Sequence, residues 1–357
     1  MSLTGLPFFL LLVALAILIP LVLTISWRTR PHGLGGRILR FSAMVTAQLV
    51  TVAAVAVWAN NAFGFYDTWA DLLGDAGTGS LQPETNGLLP EGGAEGRVVT
   101  LTVNGKVSRA TGIVLVWLPP QYDEPAFRNK RFPVLMMMPG QPGTPEGVFS
   151  QFKFAQQATQ AIRSGAVQPF VGVFPPLMIA PPRDTECTNV PGGPQAEAWL
   201  SQDIRNAVIG HVRVSRDGRQ WSAAGWSTGG FCAAKLLLRH PAQWQAAAAI
   251  GGYFDAETDA STGDLFAGSA QLRRANSPVW LIRQPGNRNT HLLIVVSKTD
   301  RHSYDGVHYA DSKQMINETK GYPNVSTLVM PYGGHNYTVY GPTLPAVLAW
   351  CARNAGL

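Results

Sequence analysis

Charge is scarce in this chain. Asp, Glu, Lys and Arg make up 14% of the 357 residues, and residues 1–60 contain no acidic residue at all. The formal net charge is +6, yet Arg28, Arg30, Arg37 and Arg40 supply four of those charges, and setting them aside leaves 24 basic against 22 acidic residues. Nucleic-acid binding requires a basic patch concentrated on the folded domain. None is present, so no nucleic-acid partner is expected. Cysteine is rarer still. Cys187, Cys232 and Cys351 are the only three, and none has the close spacing of a zinc or redox motif. Outside the cytoplasm one disulfide can form with one thiol left over; Cys187 with Cys232 is the expected pair, because both fall near the site argued below. Three buried thiols acting as small hydrophobes is the equal alternative. Internal repeats, heptads and long low-complexity segments are also missing, which removes solenoids and coiled coils from consideration.

What is abundant is apolar: 46% of residues are hydrophobic, enough for a core of some size. Residues 6–25 (LPFFLLLVALAILIPLVLTI) form an uncharged run of the length that crosses a bilayer at 1.5 Å per residue. Pro20 lies within it, which membrane helices tolerate. A second run from Phe41 to about Phe65 carries no charge until Asp67. Trp27, Trp58 and Tyr66 lie near the run ends, where amphipathic rings favour the interface. A secretory signal peptide needs a basic n-region, and residues 1–5 have none. Neither run has a polar face, which argues against two buried soluble helices. Two transmembrane helices are therefore expected, within an anchor covering 1–74. The connecting segment SWRTRPHGLGGRILR carries all four Arg, so the positive-inside rule puts it in the cytoplasm, with the N-terminus and the remainder of the chain outside. Residues 75–96 are rich in Gly, Pro and small polar residues and read as a linker.

From Arg97 onward, short apolar runs alternate with helical patterns, which predicts an α/β domain over 97–357 with a mostly parallel sheet covered by helices on both faces. Strands are expected at 98–103, 112–119, 132–140, 169–176, 221–226, 246–252, 291–297 and 326–331, the first two as an antiparallel ribbon. The run AAAAI within 246–252 is equally helical by periodicity, and only its place in the alternation makes it a strand. Helices are expected at about 145–164, 197–212, 228–240, 308–319 and 342–354.

GWSTG at 225–229 is the only G-x-S-x-G in the chain. It follows the apolar run WSAA and opens the helical stretch TGGFCAAKLLLRH, which is the strand–turn–helix setting of a nucleophile elbow in an α/β-hydrolase fold. A side chain at either flanking glycine would collide with the neighbouring strand or helix. Ser227 is thus the candidate nucleophile; a tight glycine turn without chemistry is the competing reading. A serine hydroxyl needs a base, and the base an orienting acid, in the chain order Ser, Asp or Glu, His. The loop after HLLIVVS supplies Asp300, with Asp305 second. The loop after STLVMP supplies His335, beside Gly333 and Gly334. Two backbone N–H groups must receive the oxyanion: Thr228, directly after the nucleophile, and Gln141 in the turn after FPVLMMMPG, with Gly140 next because Pro142 has no N–H. Asp300, His302, Asp305 and His308 suggest a metal cluster only superficially, since their spacing matches no strong ligand motif. No metal and no cofactor are expected.

The segments MMMPGQPG, DTECTNVPGGPQAEAWLSQDI, AAGWSTGGFCAAKLLLRHPAQWQAAAAIGGYFD and YGGHN resemble the esterase family that includes esterase D and the mycobacterial mycolyltransferases, over about Arg97 to Leu357. Anchored members of this type occur in actinobacteria. The resemblance implies an α/β-hydrolase fold, carboxylester hydrolysis or acyl transfer, a triad on Ser227, Asp300 and His335, and a position near the active-site mouth for Asp184 to Cys187. The mycolyltransferases use Glu as the acid, whereas an Asp is chosen here, and their tryptophan-rich insertions are not recognisable. The expected function is a membrane-anchored extracytoplasmic serine esterase acting on an ester such as an envelope lipid or glycolipid. An acyltransferase moving the acyl group to a sugar or lipid hydroxyl is the enzymatic alternative. A non-catalytic binding protein on the hydrolase fold is the third, and it would lack a nucleophile or histidine that this chain retains.

Overall fold

Two N-terminal helices, α1 (Leu6–Ile25) and α2 (Leu34–Phe63), open the chain in the computed structural model, which describes residues 5–27, 33–63, 69, 94–287, 289–300, 303 and 311–357. Residues 1–82 and 83–357 form two compact units. In the first, α1 and α2 lie antiparallel: Arg40 Nη2 donates to Trp27 O at 2.9 Å at one end, and Leu12 packs with Ala54 and Val57 further along. The small residues Ala53 and Ala54 let the helices approach closely. At 1.5 Å per residue α1 is about 30 Å long, and most of its large apolar side chains face outward. Both helices are long and apolar enough to cross a bilayer.

The second helix differs from its predicted span. It starts at Leu34 rather than Phe41, so Arg37 and Arg40 are helical residues and only Arg28 and Arg30 belong to the connecting segment, outside the described residues. Hydropathy marks where side chains turn polar, but a helix continues as long as its backbone hydrogen bonds do. The Arg40 guanidinium also lies 4.6 Å from the Trp27 ring centre, a cation–π contact that favours keeping that turn helical. The linker expected over 75–96 lies outside the described residues except for a short turn at 94–96 leading into β1.

In the second unit eight strands form one sheet: β1 (Arg97–Asn104), β2 (Thr111–Leu118), β3 (Val134–Met138), β4 (Val171–Phe174), β5 (Trp221–Trp226), β6 (Ala246–Ile250), β7 (His291–Ser297) and β8 (Val325–Met330). Their order is β1-β2-β4-β3-β5-β6-β7-β8. The pairs β1–β2 and β2–β4 are antiparallel and the other pairs are parallel. This is an α/β-hydrolase fold. Strands β3 to β6 are wholly buried, as their unbroken apolarity requires. The alternative helix at AAAAI does not form; the run pairs with β5 and β7 on both sides.

Helices α3 (Pro145–Gln151) and α4 (Phe154–Arg163) occupy the span expected as one helix. Phe152 and Phe154 are both fully buried, and residues two apart point to nearly opposite sides of a continuous helix. The break at Lys153, with φ 45°, turns both rings inward. The helix expected over 197–212 runs as Ala196–Ala198, a π-helical turn Trp199–Ile204, then α5 (Arg205–His211). That wider turn carries Asp203, whose carboxylate accepts from the N–H groups of Lys106, Val107 and Ser108 and so fixes the β1–β2 turn. Helix α6 (Thr228–Arg239) follows β5 and is buried at every residue but Arg239. Later come α7 (Ser312–Glu318), α8 (Tyr337–Tyr340) and α9 (Leu344–Ala355). Residues 308–310 of the predicted helix over 308–319 lie outside the described residues.

Candidate active site

Strand β3 lies between β4 and β5, so the chain leaves β3 toward one side of the sheet and returns to the other. Crevices form at such switch points, beyond the carboxyl ends of the strands. Here the two flanking turns are 139–143 after β3 and the β5–α6 turn holding Ser227.

Ser227 has φ 55° and ψ −120°, a region that a residue with a Cβ rarely enters. The neighbouring glycines make this turn possible. A Cβ on Gly225 would lie 2.0 Å from Gly229 O in α6, and one on Gly229 would lie 2.4 Å from both Met138 O and Pro139 O at the end of β3. Helix, turn and strand thus touch backbone to backbone, as the motif predicts. Gly140 closes in from the β3 side, where an added Cβ would stand 3.1 Å from the Ser227 Cβ. Ser227 itself is 6% exposed.

His335 arrives on the turn after β8. Gly333 holds that turn with φ 140°, and a Cβ there would strike Val339 Cγ1 at 2.4 Å. Asn336 caps α8 by accepting from Val339 N–H at 3.0 Å. The imidazole stacks on Trp226, ring centres 4.3 Å apart and 27° between planes. His335 Nε2 then lies 3.0 Å from Ser227 Oγ, and Nδ1 lies 2.8 Å from Asp300 Oδ2. Three loops distant in the chain bring hydroxyl, imidazole and carboxylate into one hydrogen-bonded line.

Asp300, 1% exposed, sits just beyond β7. Its Oδ2 also accepts from Tyr340 Oη at 2.6 Å and Ser303 Oγ at 2.7 Å, and Oδ1 accepts from Ser303 N–H at 3.2 Å. Burial alone would raise this carboxyl, but the bonds from His335, Tyr340 and Ser303 outweigh it and hold it at about 2. Burial beside that carboxylate pushes the Tyr340 phenol far above its ordinary value, so it remains a donor. Thr299 ties the acid loop to the histidine loop: its Oγ1 accepts from Gly333 N–H at 2.8 Å and donates to Gly333 O at 3.1 Å.

Thr228 is the first residue of α6, where helix N–H groups have no intrahelical acceptor and the positive end of the macrodipole emerges. Gln141 follows Gly140 in the turn beside Ser227. Asp305, and with it His302 and His308 of the superficial metal cluster, lies outside the described residues. Cys187 and Cys232 form a disulfide and Cys351 is a buried free thiol. Residues Asp184 to Cys187 are buried, at 1–9% exposure. The reason is chemical: Lys235 of α6 donates to Glu186 O and Thr188 Oγ1, drawing the segment inward.

Sequence reasoning missed Trp226, Tyr340, Ser303, Glu186 and Tyr253. For Trp226 a signal existed, since it stands inside the G-x-S-x-G motif. Tyr340 lies five residues beyond His335, at the end of the short helix α8. Ser303 and Tyr253 stood on loops with nothing to mark their partners.

Among solved structures, an S-formylglutathione hydrolase from Agrobacterium tumefaciens superposes with a TM-score of 0.60 at 16% identity, covering 74% of this chain and 97% of that one. MPT51 of Mycobacterium tuberculosis superposes with a TM-score of 0.54 at 15% identity, covering 72% and 98%. At such identities the likeness is one of fold. An uncharacterized protein of Corynebacterium glutamicum is 26% identical over 258 residues, or 68% of this chain and 57% of that protein. The chain therefore spans little more than half the length of that relative. Residues 110–351 match the family described as Putative esterase, and since this match spans most of the chain, the protein belongs to that family of serine hydrolases.

Proposed function

We propose that the protein hydrolyses carboxylic esters through an acyl-enzyme on Ser227. The observation that carries this reading is the line from Ser227 Oγ to His335 Nε2 at 3.0 Å and from His335 Nδ1 to Asp300 Oδ2 at 2.8 Å. Ser227 Oγ attacks the ester carbonyl carbon as its proton passes to His335 Nε2. Asp300, ionised across the neutral range, accepts from Nδ1–H and stabilises the imidazolium. Thr228 N–H and Gln141 N–H receive the negative charge that develops on the carbonyl oxygen. The tetrahedral species collapses, the carbon–oxygen bond to the alcohol breaks, and the alkoxide leaves with the proton from Nε2. Water then repeats the sequence on the acyl-enzyme, releasing the acid and restoring Ser227.

The two N-terminal helices are read as transmembrane spans, with residues 1–74 as anchor, 75–96 as linker and 97–357 as the catalytic domain on the outer side. The Cys187–Cys232 disulfide supports an oxidising compartment for that domain. An enzyme tethered beside a bilayer meets lipid-borne esters at high local concentration, so an ester-bearing envelope lipid or glycolipid is the substrate class.

Labelling of the full chain with a fluorophosphonate probe tests the assignment. Wild type is expected to label and Ser227→Ala to remain unlabelled; labelling that survives the substitution assigns the chemistry to another serine. Product analysis with added sugar or lipid acceptors separates hydrolysis from acyl transfer. A reporter fused after Asp75 and active only in the cytoplasm would overturn the orientation.

A further inference from the structure

Behind the elbow lies a buried polar chain that the hydrolytic sequence above does not use. Tyr253 follows β6, and its ring stacks on Phe231 of α6 with centres 5.2 Å apart. Its hydroxyl donates to Glu186 Oε1 at 2.6 Å and lies 3.2 Å from Thr228 Oγ1. A phenol has one proton to give. With that proton in the shorter bond, the phenol oxygen accepts from the Thr228 hydroxyl, and the order of donation is Thr228, Tyr253, Glu186.

The far end of this chain is held firmly. Glu186 and Cys187 have φ of 46° and 48°, left-handed values that residues with a Cβ adopt only under constraint. Cys187 is bridged to Cys232, Lys235 Nζ donates to Glu186 O at 2.9 Å and to Thr188 Oγ1 at 2.8 Å, and Asp184 Oδ1 accepts from Glu186 N–H. Cys232 and Lys235 both belong to α6, the helix that begins at Thr228. The network therefore starts at the helix N-terminus, passes through Tyr253 and Glu186, and returns to the same helix. Burial and the neighbouring Asp184 push the Glu186 carboxyl well above the ordinary range. In its bond with Tyr253 the Glu186 side chain offers an oxygen as acceptor, and the carbonyl oxygen of an amide would accept the same bond.

We propose that Tyr253, held by Glu186, is a positioning residue for the oxyanion hole, acting through the Thr228 side chain. This rests on the reading of Ser227 as nucleophile and Thr228 N–H as an oxyanion donor. An oxyanion donor works only if it is aimed where charge develops before the reaction begins. With the Thr228 hydroxyl held by Tyr253 and its backbone opening α6, the Ser227–Thr228 peptide is restrained in its orientation. Its loss weakens the transition state more than the bound substrate, which lowers kcat and spares KM.

The test compares Tyr253→Phe, Glu186→Gln and Glu186→Ala with wild type and Ser227→Ala, as full chains in detergent. Hydrolysis of p-nitrophenyl acetate and inhibition by an aryl trifluoromethyl ketone, whose serine adduct carries an oxyanion, are both read. Tyr253→Phe and Glu186→Ala are expected to lower kcat roughly tenfold, keep KM within about twofold, and weaken the ketone by a similar factor; Glu186→Gln stays within about twofold of wild type. Wild-type kcat and ketone affinity in a folded Tyr253→Phe, with Ser227→Ala inactive, would overturn the positioning role and leave the esterase reading intact. Where Tyr253→Phe does not fold, a folded Glu186→Ala with wild-type kcat, or a Glu186→Gln as impaired as Glu186→Ala, overturns it equally. Wild type without any Ser227-dependent hydrolysis or adduct would overturn the esterase reading itself.

Discussion

The Tyr340 hydroxyl donates to Asp300 Oδ2 at 2.6 Å, the same oxygen that lies 2.8 Å from His335 Nδ1. One carboxylate oxygen thus serves the imidazole while a phenol and the Ser303 hydroxyl hold it still. Tyr340 also takes Ser297 N–H at 3.0 Å, so its own position is set by the end of β7. Tyr340→Phe removes a hydrogen bond to a charged acceptor, a contact worth about 1.5 kcal/mol or more. The expected result is a roughly tenfold fall in kcat with Ser227 labelling retained. Steady-state kinetics beside probe labelling check it; an unchanged kcat would show that His335 and Ser303 suffice to orient the acid.

Gly225 and Gly229 admit no side chain, because the added carbon would meet backbone atoms at 2.0 and 2.4 Å. Backbone cannot step aside as a flexible side chain can. Gly225→Ala is expected to cost about 3 kcal/mol or more and to abolish labelling of Ser227. A thermal melt of the variant beside wild type reads the first effect, and an intact melting temperature would contradict the close-packing argument.

Acid stability follows from two carboxyls. Burial works against ionisation of Glu197, but His240, Lys235 and Arg239 outweigh it and bring it from 4.5 to about 2. Asp300 falls to about 2 as well. A depressed carboxyl stabilises the fold above its unfolded pKa and loses that contribution as pH drops through the folded value. Stability should therefore hold down to about pH 4.5 and decline toward pH 2, with about 3 kcal/mol of the loss belonging to Glu197. Urea unfolding across pH 7 to 2.5 measures the decline, and Glu197→Gln should flatten it. A slope unchanged by that substitution would remove Glu197 from the account.

The Cys187–Cys232 disulfide spans 45 residues of sequence. Closing a loop of that length in the unfolded chain stabilises the fold by about 4 kcal/mol in the chain-entropy description. Replacing both cysteines by alanine should lower the unfolding free energy by that order, with Lys235 and Tyr253 among the ties to the 184–188 segment that remain. Denaturant titration of the double variant is the measurement. A loss below about 1 kcal/mol would place the constraint elsewhere.

The strands were legible because each is a short apolar run between turn residues, and the elbow was legible because its glycines are demanded by steric contact. Chain order and strand ends were enough to name Ser227, Asp300 and His335 as candidates, and the fold brings these three into hydrogen-bonding contact. AAAAI was ambiguous for a definite reason. Alanines suit a helix in isolation, whereas here the run lies under α6, where an added Cβ on Gly230 would stand 3.1 Å from Ile250 N, and small residues permit that approach. The start of α2 was misplaced because hydropathy follows side chains and helices follow backbone. The resemblance placed the segment of Glu186 near the site, but the contacts of its side chain were not legible. A carboxyl reads the same in sequence whether it faces water or lies beneath a helix, and only the folded chain brings Tyr253 and Lys235 against it.

Since the sharp turn at Ser227 is packed main chain on main chain and buttressed from behind by Tyr253, it does not depend on the loops in front of it. Loops around the opening could be exchanged to admit a bulkier acid or a different alcohol while the attacking oxygen stayed where it is. A scaffold of this kind separates what reacts from what is chosen, and selection can alter the second without reopening the first.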